Sequence, residues 1–151
     1  MRRIAITIAC IALLAVQGCK KKDAEPFDND PVRTITWRYL TQAAWRQTAL
    51  EYQQSSGAWV AKPLPAAALS RVTTYYMNGT VTEVTGSASV SGIFDIIGDN
   101  HQLAVNKSVT YDFAALNDTT MQLVLPGQQG YTDTSTGIIT TYYAMRMTYG
   151  H

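Results

Sequence analysis

The sequence predicts an all-β domain in which eight antiparallel strands form a meander that closes into a barrel. Threonine, valine, isoleucine and tyrosine are concentrated after Arg71, in runs of about five to eleven residues typical of strands. Turn signals such as Asn78-Gly79 separate these runs, and no stretch there has helical periodicity over three turns. The turn spacing, roughly 8 to 12 residues, fits a barrel or a sandwich. We favour the barrel because closure leaves no exposed edge strand.

Each predicted strand ends at a turn signal. Asn78-Gly79 is the strongest, because a type I′ turn needs positive φ at both central residues and Asn-Gly tolerates it. Gly98-Asp99-Asn100 and Asn117-Asp118 indicate longer or looser turns. The strands are predicted at residues 45–53, 72–77, 80–85, 92–97, 102–105, 109–116, 120–125 and 138–148.

Two segments fall outside this meander. Residues 36–44, with Trp37 and Leu40 on a mixed pattern, are expected to form either a short helix or an extended lead-in that plugs one barrel end. Residues 58–69 contain two prolines and three consecutive alanines. We expect a long connection with a helical turn, acting either as a lid over an open barrel end or as inert packing.

Alternation along the strands predicts which side chains face the interior. In Phe94-Asp95-Ile96 and Tyr111-Asp112-Phe113 the acids are expected in solvent and their apolar neighbours inside. The same alternation predicts that six more side chains point inward: Met121, Leu123, Leu125, Tyr143, Met145 and Met147. The candidate ligand contacts are Trp45, Tyr75, Phe94, Tyr111, Phe113, Tyr143 and Met145.

An eight-stranded barrel is either filled by side chains or just wide enough to hold one small ligand. With tyrosine, methionine, phenylalanine and tryptophan pointing inward, a cavity would be apolar with a few phenolic hydroxyls. It would suit a lipid, a hydrophobic metabolite or an aromatic compound. The alternative is that the nine tyrosines serve packing and cross-strand pairing and fill the barrel.

The first 18 residues predict a cleavable secretion signal. Arg2 and Arg3 precede an apolar run at residues 4–16, which is shorter than the roughly 20 residues that span a bilayer. The Val16-Gln17-Gly18-Cys19 sequence resembles the lipobox of bacterial lipoproteins, in which the cysteine thiol receives diacylglycerol before cleavage. We therefore expect lipidation of Cys19 and anchoring in a membrane; the alternative is an ordinary signal peptide. Cys10 is the only other cysteine, so no disulfide can form within the mature chain.

Residues 19–32 are predicted to be a flexible charged linker, and residues 33–151 the folded domain. Lys20-Lys21-Lys22 either touches anionic headgroups or is a solvated tether. The chain has 12 basic and 11 acidic residues, and loss of Arg2 and Arg3 leaves the mature chain near neutrality. This balance argues against a nucleic-acid partner.

Five phrases occur in a distinctive order and spacing along the chain. They are Leu40 followed by Trp45, Tyr75-Tyr76-Met77-Asn78-Gly79-Thr80, Ser91-Gly92-Ile93-Phe94, Gly98-Asp99-Asn100-His101-Gln102-Leu103, and Leu116-Asn117-Asp118-Thr119-Thr120-Met121-Gln122-Leu123. Together they resemble the lipocalin-like lipoproteins of Bacteroidetes. Phe94 stands where that family usually has tryptophan, and Ala43-Ala44 replaces the glycine that commonly precedes the first tryptophan. The resemblance implies an eight-stranded barrel or half-open sheet in the cell envelope, on the outer membrane, with Trp45 packed across the closed end. It implies no agreed activity.

The sequence does not predict an enzyme. His101 and His151 are its two histidines, too few for a multi-histidine metal site and poorly placed for a catalytic triad. There is no phosphate loop or dinucleotide fingerprint, so no cofactor is expected. Two hypotheses follow: a module that binds a small hydrophobic ligand, or a structural lipoprotein that binds an envelope protein through its outer surface.

Overall fold

A computed structural model describes residues 30–151. The predicted signal peptide, Cys19 and most of the predicted linker lie outside the described residues. The described part contains two helices, α1 (Pro31–Thr41) and α2 (Ala66–Leu69), and nine strands: β1 (Ala44–Gln53), β2 (Trp59–Lys62), β3 (Arg71–Tyr75), β4 (Thr80–Thr85), β5 (Ala88–Ile97), β6 (Gln102–Val105), β7 (Val109–Leu116), β8 (Thr120–Thr132) and β9 (Ile139–Gly150).

The strands form one antiparallel sheet that closes into an eight-stranded barrel, which confirms the predicted fold class. Strands β3 to β9 pair in chain order, and β1 closes the barrel by pairing with β9. The other edge of β1 pairs with β3 through residues 44–46 and with β2 through residues 50–53. Strands β2 and β3 are therefore two halves of one barrel strand, and nine segments make an eight-stranded wall.

The predicted connection at residues 58–69 is this interruption of the wall. Its helical turn is confirmed as α2, but the segment also contains strand β2, which was not among the predicted strands. Proline has no N–H for the ladder, and Pro63 follows β2 directly. The chain leaves the wall beside the middle of β1 rather than over a barrel end, so it is not a lid. Leu64 packs against the core from this excursion.

The lead-in segment forms a helix, as one of the two alternatives predicted. Helix α1 begins at Pro31, earlier than expected and inside the predicted linker. Asp30 caps it, because its carboxylate accepts hydrogen bonds from the backbone N–H groups of Val32 (3.0 Å) and Arg33 (3.1 Å). Proline at the first helical position lacks only an N–H that would have no partner in the helix.

The inner face of α1 plugs one end of the barrel. Trp37 and Leu40 are buried on this face. The Trp45 indole Nε1 donates a 2.8 Å hydrogen bond to the carbonyl oxygen of Leu40, which ties the helix to the first strand. The packing of Trp45 across a closed end, implied by the family resemblance, is therefore present in the structure.

The described strands contain three register shifts, and two of them explain where simple alternation fails. Gln47 and Ala49 on β1 face the consecutive residues Tyr149 and Thr148 on β9, so Thr48 is the extra residue. In a regular strand, residues that share a face are an even number of positions apart. The extra residue lets Trp45 and Leu50 both point inward although they are an odd number of positions apart. A second bulge lies between Pro126 and Gln129 on β8. It lets β8 and β9 continue as a hairpin beyond the predicted end of that strand.

The Asn78-Gly79 hairpin is confirmed, but its turn type differs from the prediction. Gly79 has positive φ (81°) and Asn78 does not. A 3.0 Å hydrogen bond runs from the Gly79 N–H to the carbonyl oxygen of Tyr76, so the loop is longer than a two-residue type I′ turn and β3 ends at Tyr75. Consecutive positive φ values instead occur at Asp99-Asn100 and Asn106-Lys107.

The closing seam between β1 and β9 carries an ion pair. Arg146 Nε lies 2.8 Å from Glu51 Oε2, and the Arg146 guanidinium lies 4.5 Å from the centre of the Trp59 ring on β2. This one cation therefore links three strands.

Neither helix in residues 30–151 is long and apolar enough to cross a bilayer. Core side chains include Trp37, Leu40, Trp45, Leu50, Tyr75, Phe94, Ile96, Leu103, Met121 and Leu123.

Candidate ligand-binding site

The two ends of the barrel differ. At the end that α1 covers, the Trp37 ring lies 4.5 Å from the Phe94 ring, and Phe94 meets Tyr75 edge-on at 5.0 Å, centre to centre. This aromatic stack fills the barrel interior at the end that α1 covers. The opposite end carries the β4–β5 and β6–β7 turns, and neither helix of residues 30–151 covers it.

A cavity of about 130 Å³ lies between the aromatic stack and this second end. It opens to solvent beside Glu83 and Val90, whose side chains are 47% and 67% exposed. The barrel is therefore filled at the helix end and hollow towards the other. The cavity is lined by Tyr75, Val81, Glu83, Val90, Ser91, Gly92, Val105, Asn106, Tyr111 and Tyr149.

Three tyrosines form the inner wall of the cavity. Tyr75 is only 5% exposed, and within residues 30–151 its hydroxyl makes no hydrogen bond. Tyr149 donates weakly to the Met147 sulfur (3.5 Å). Burial raises the pKa of the Tyr75, Tyr111 and Tyr149 phenols, and the Glu83 carboxylate raises them further. All three phenols therefore stay neutral at physiological pH.

Glu83 supplies the cavity's formal charge. Among the described lining residues it is the one acidic or basic side chain. Arg71 stands beside it, with Nη1 3.8 Å from the Glu83 carboxylate, a distance too long for a hydrogen bond. The Glu83 carboxylate accepts no hydrogen bond from any residue that the structure describes. The half-exposed carboxylate is therefore accessible to a ligand that enters the cavity mouth.

A second tyrosine cluster fills the other side of this end. The Tyr52 ring lies 5.4 Å from Tyr131 and 5.0 Å from Tyr142, centre to centre. Lys62 Nζ lies 4.8 Å from the Tyr131 ring centre and is attracted by the ring's π electrons. The nearby Tyr142 side chain raises the Lys62 pKa. Most of the cavity lining therefore comes from β3 to β7, and Tyr149 on β9 completes it.

Two of the seven predicted ligand contacts, Tyr75 and Tyr111, line the cavity. Trp45 is fully buried away from it, with its ring 4.2 Å from the His151 ring. Phe94 belongs to the aromatic stack. Phe113 and Met145 are partly buried and pack against the core.

The inward orientation predicted for Tyr143 was wrong. Its side chain is 54% exposed, whereas the neighbouring Tyr142 is buried and packs against Tyr52. The β8 bulge lies opposite this part of β9, and bulges bend a strand and increase its local twist. The hairpin therefore presents Tyr142 rather than Tyr143 to the barrel end.

Sequence reasoning missed Glu83 and Tyr149. In Val81-Thr82-Glu83 the glutamate shares the face of Val81, a buried core residue. A charged residue on the apolar face of a strand is a usable signal for a site, because an ionised group is costly to bury without a partner. Tyr149 on β9 pairs with Met121 on β8. The last strand was predicted to end at residue 148, so Tyr149 was not placed on it.

Comparison with protein-family models, with curated proteins and with solved structures finds no match to this chain. Within residues 30–151, no group of three or more histidine, cysteine, aspartate or glutamate side chains is placed to hold a metal ion. The cavity geometry is therefore the main basis for a functional interpretation.

Proposed function

We propose that this protein is a lipid-anchored envelope protein whose lipocalin-like barrel binds a small ligand in the tyrosine-lined cavity. One observation carries the proposal: the cavity is closed at the helix-plugged end, opens to solvent at the other, and is lined by three tyrosines, three valines and the Glu83 side chain. A concave site with apolar walls and a few polar groups that converge on it is the usual form of a small-molecule site.

The size of the cavity limits the ligand. Its volume of about 130 Å³ is below the roughly 300 to 1,000 Å³ of sites for drug-sized molecules. A cavity of about 150 Å³ can hold a molecule the size of benzene. The ligand is therefore a small molecule with an apolar part rather than a long-chain lipid.

The anchor rests on Cys19. The lipobox-like sequence before it and the absence of a second cysteine in the mature chain support lipidation, and two or more acyl chains hold a protein stably on a bilayer. We place the protein in the cell envelope, on the outer membrane. Cys19→Ser should leave a soluble or uncleaved precursor, measured by membrane fractionation. Unchanged processing and fractionation would contradict the anchor.

Native mass spectrometry of the protein purified from its own host tests the binding function. A co-purifying small molecule is expected. Val90→Trp places a large side chain at the cavity mouth and should abolish its retention. Val84→Trp is the matched control, because Val84 lies on the outer face of the neighbouring strand. A clean apo mass, or equal retention in both variants, counts against the proposal.

A second candidate function is binding of an envelope protein through the outer surface. Ile138, Ile139 and Tyr143 are exposed on the hairpin that extends β8 and β9 beyond the predicted strands. Clustered apolar side chains in solvent often mark interaction surfaces. Under this hypothesis, Ile138→Ser with Ile139→Ser abolishes co-purification of a partner, whereas Val90→Trp leaves it unchanged.

A further inference from the structure

We propose that the ligand is a small organic amine, bound as its ammonium ion by Glu83 between the tyrosines of the cavity. This inference rests on the proposed binding function and adds the chemical class of the ligand. It depends on the charge of the cavity mouth, on the neutral aromatic wall behind it and on the apolar residues between them.

The charge of the mouth favours a cation. Glu83 is the one formally charged side chain among the described residues that line the cavity. Its contact with Arg71 is long, at 3.8 Å, and both side chains are half-exposed. An exposed ion pair of this length contributes little. An ammonium group can approach closer, donate a charged hydrogen bond to Glu83 and let Arg71 turn towards solvent.

The wall behind Glu83 also suits an ammonium ion. Tyrosine rings attract cations through their π electrons, more strongly where water is excluded. Tyr75, Tyr111 and Tyr149 supply three such rings with oxygen acceptors. Phenols are neutral at pH 7 and burial raises their pKa values further, so these side chains do not compete with Glu83 as anions. The Tyr75 hydroxyl oxygen, on the cavity wall, can also accept a hydrogen bond from the ammonium group.

The remaining lining selects an amine with an apolar body. Val81, Val90 and Val105 contribute aliphatic surface to the cavity. Burying a hydrocarbon group against them is favourable in proportion to its area. A carboxylate ligand would meet repulsion from Glu83. A neutral alcohol would forgo the charged hydrogen bond.

The test uses three probes of nearly equal shape: benzylamine, benzyl alcohol and benzoate. Each is titrated at neutral pH into the full-length protein in detergent, and binding is measured by calorimetry. Benzylamine should bind at least about tenfold more tightly than benzyl alcohol, the factor expected of a charged hydrogen bond. Its affinity should fall with added salt because the attraction is partly electrostatic.

Glu83→Gln separates charge from shape. It should lower benzylamine affinity to that of benzyl alcohol and leave benzyl alcohol binding unchanged. Asp99→Asn is the matched control, since it removes the same charge at the helix-plugged end, at a position whose positive φ (54°) asparagine tolerates. It should alter no affinity. Thermal unfolding of both variants checks that they are folded.

The outcomes distinguish the two proposals. Equal binding of benzylamine and benzyl alcohol overturns the amine inference and supports the binding function. Preference for benzoate also overturns it and assigns recognition to Arg71. Failure of all three probes to bind at millimolar concentration contradicts the binding function and the amine inference together.

Discussion

At the scale of single residues, Gly92 is required because the Asn106 side chain occupies the space a Cβ would take. The Asn106 amide oxygen accepts a 3.0 Å hydrogen bond from the backbone N–H of Ile93. A Cβ on Gly92 would collide with that oxygen. The backbone of Gly92 does not have positive φ, so the constraint is space and not conformation.

We expect Gly92→Ala to displace Asn106 and break this hydrogen bond. The loss should be about 1 to 2 kcal/mol in the free energy of unfolding, the usual cost of a disrupted hydrogen bond, measured by urea denaturation. Gly130→Ala is the control, because a Cβ there makes only an ordinary contact at 3.8 Å with Ile139. If Gly92→Ala costs as much in an Asn106→Ala background, the collision is not the cause.

Residue identity alone predicted part of the site. Alternation placed Tyr111 inside, because no bulge precedes it on its strand, and Tyr75 was named as a candidate ligand contact. It failed at Tyr143, where the bulge on the neighbouring strand changes the twist. It did not identify Glu83, because a glutamate between threonine and valine reads as a solvent-exposed residue until Val81 is known to be buried.

At the scale of elements, helix α1 is part of the core. Leu40 is fully buried, whereas Val32 on the same helix is 56% exposed. Leu40→Ala should therefore cost about 2 to 5 kcal/mol, the range for truncating a buried leucine. Val32→Ala, the control, should change stability by no more than about 0.5 kcal/mol. Equal, small effects in urea denaturation would show that α1 does not pack stably on the barrel.

The elements that the sequence predicted well are those with strong turn signals at both ends. β4, β6 and β7 have their predicted bounds. The split second strand was hidden because β2 has four residues and is followed by two prolines. Its strand character comes from pairing with β1, a contact between distant elements that local patterns do not contain.

At the scale of the molecule, the closed barrel keeps several tyrosines out of water. Burial raises the pKa of Tyr52, Tyr75, Tyr111 and Tyr149 above the ordinary value. In the unfolded chain the same phenols ionise near pH 10, about their usual pKa. Above that pH the unfolded chain binds fewer protons than the folded barrel, so ionisation draws the equilibrium towards unfolding.

Stability should therefore be constant from neutral pH to about pH 9 and then fall steadily as the pH passes about 10, the ordinary tyrosine pKa. Urea midpoints measured across this range, with tyrosinate absorbance followed in parallel, test this. Tyr149→Phe should weaken the alkaline loss, because it removes one of the buried phenols. Tyr143→Phe should leave it unchanged, since that side chain is exposed in the folded barrel as well. An alkaline loss of equal size in both variants would mean that groups other than the buried tyrosines cause it.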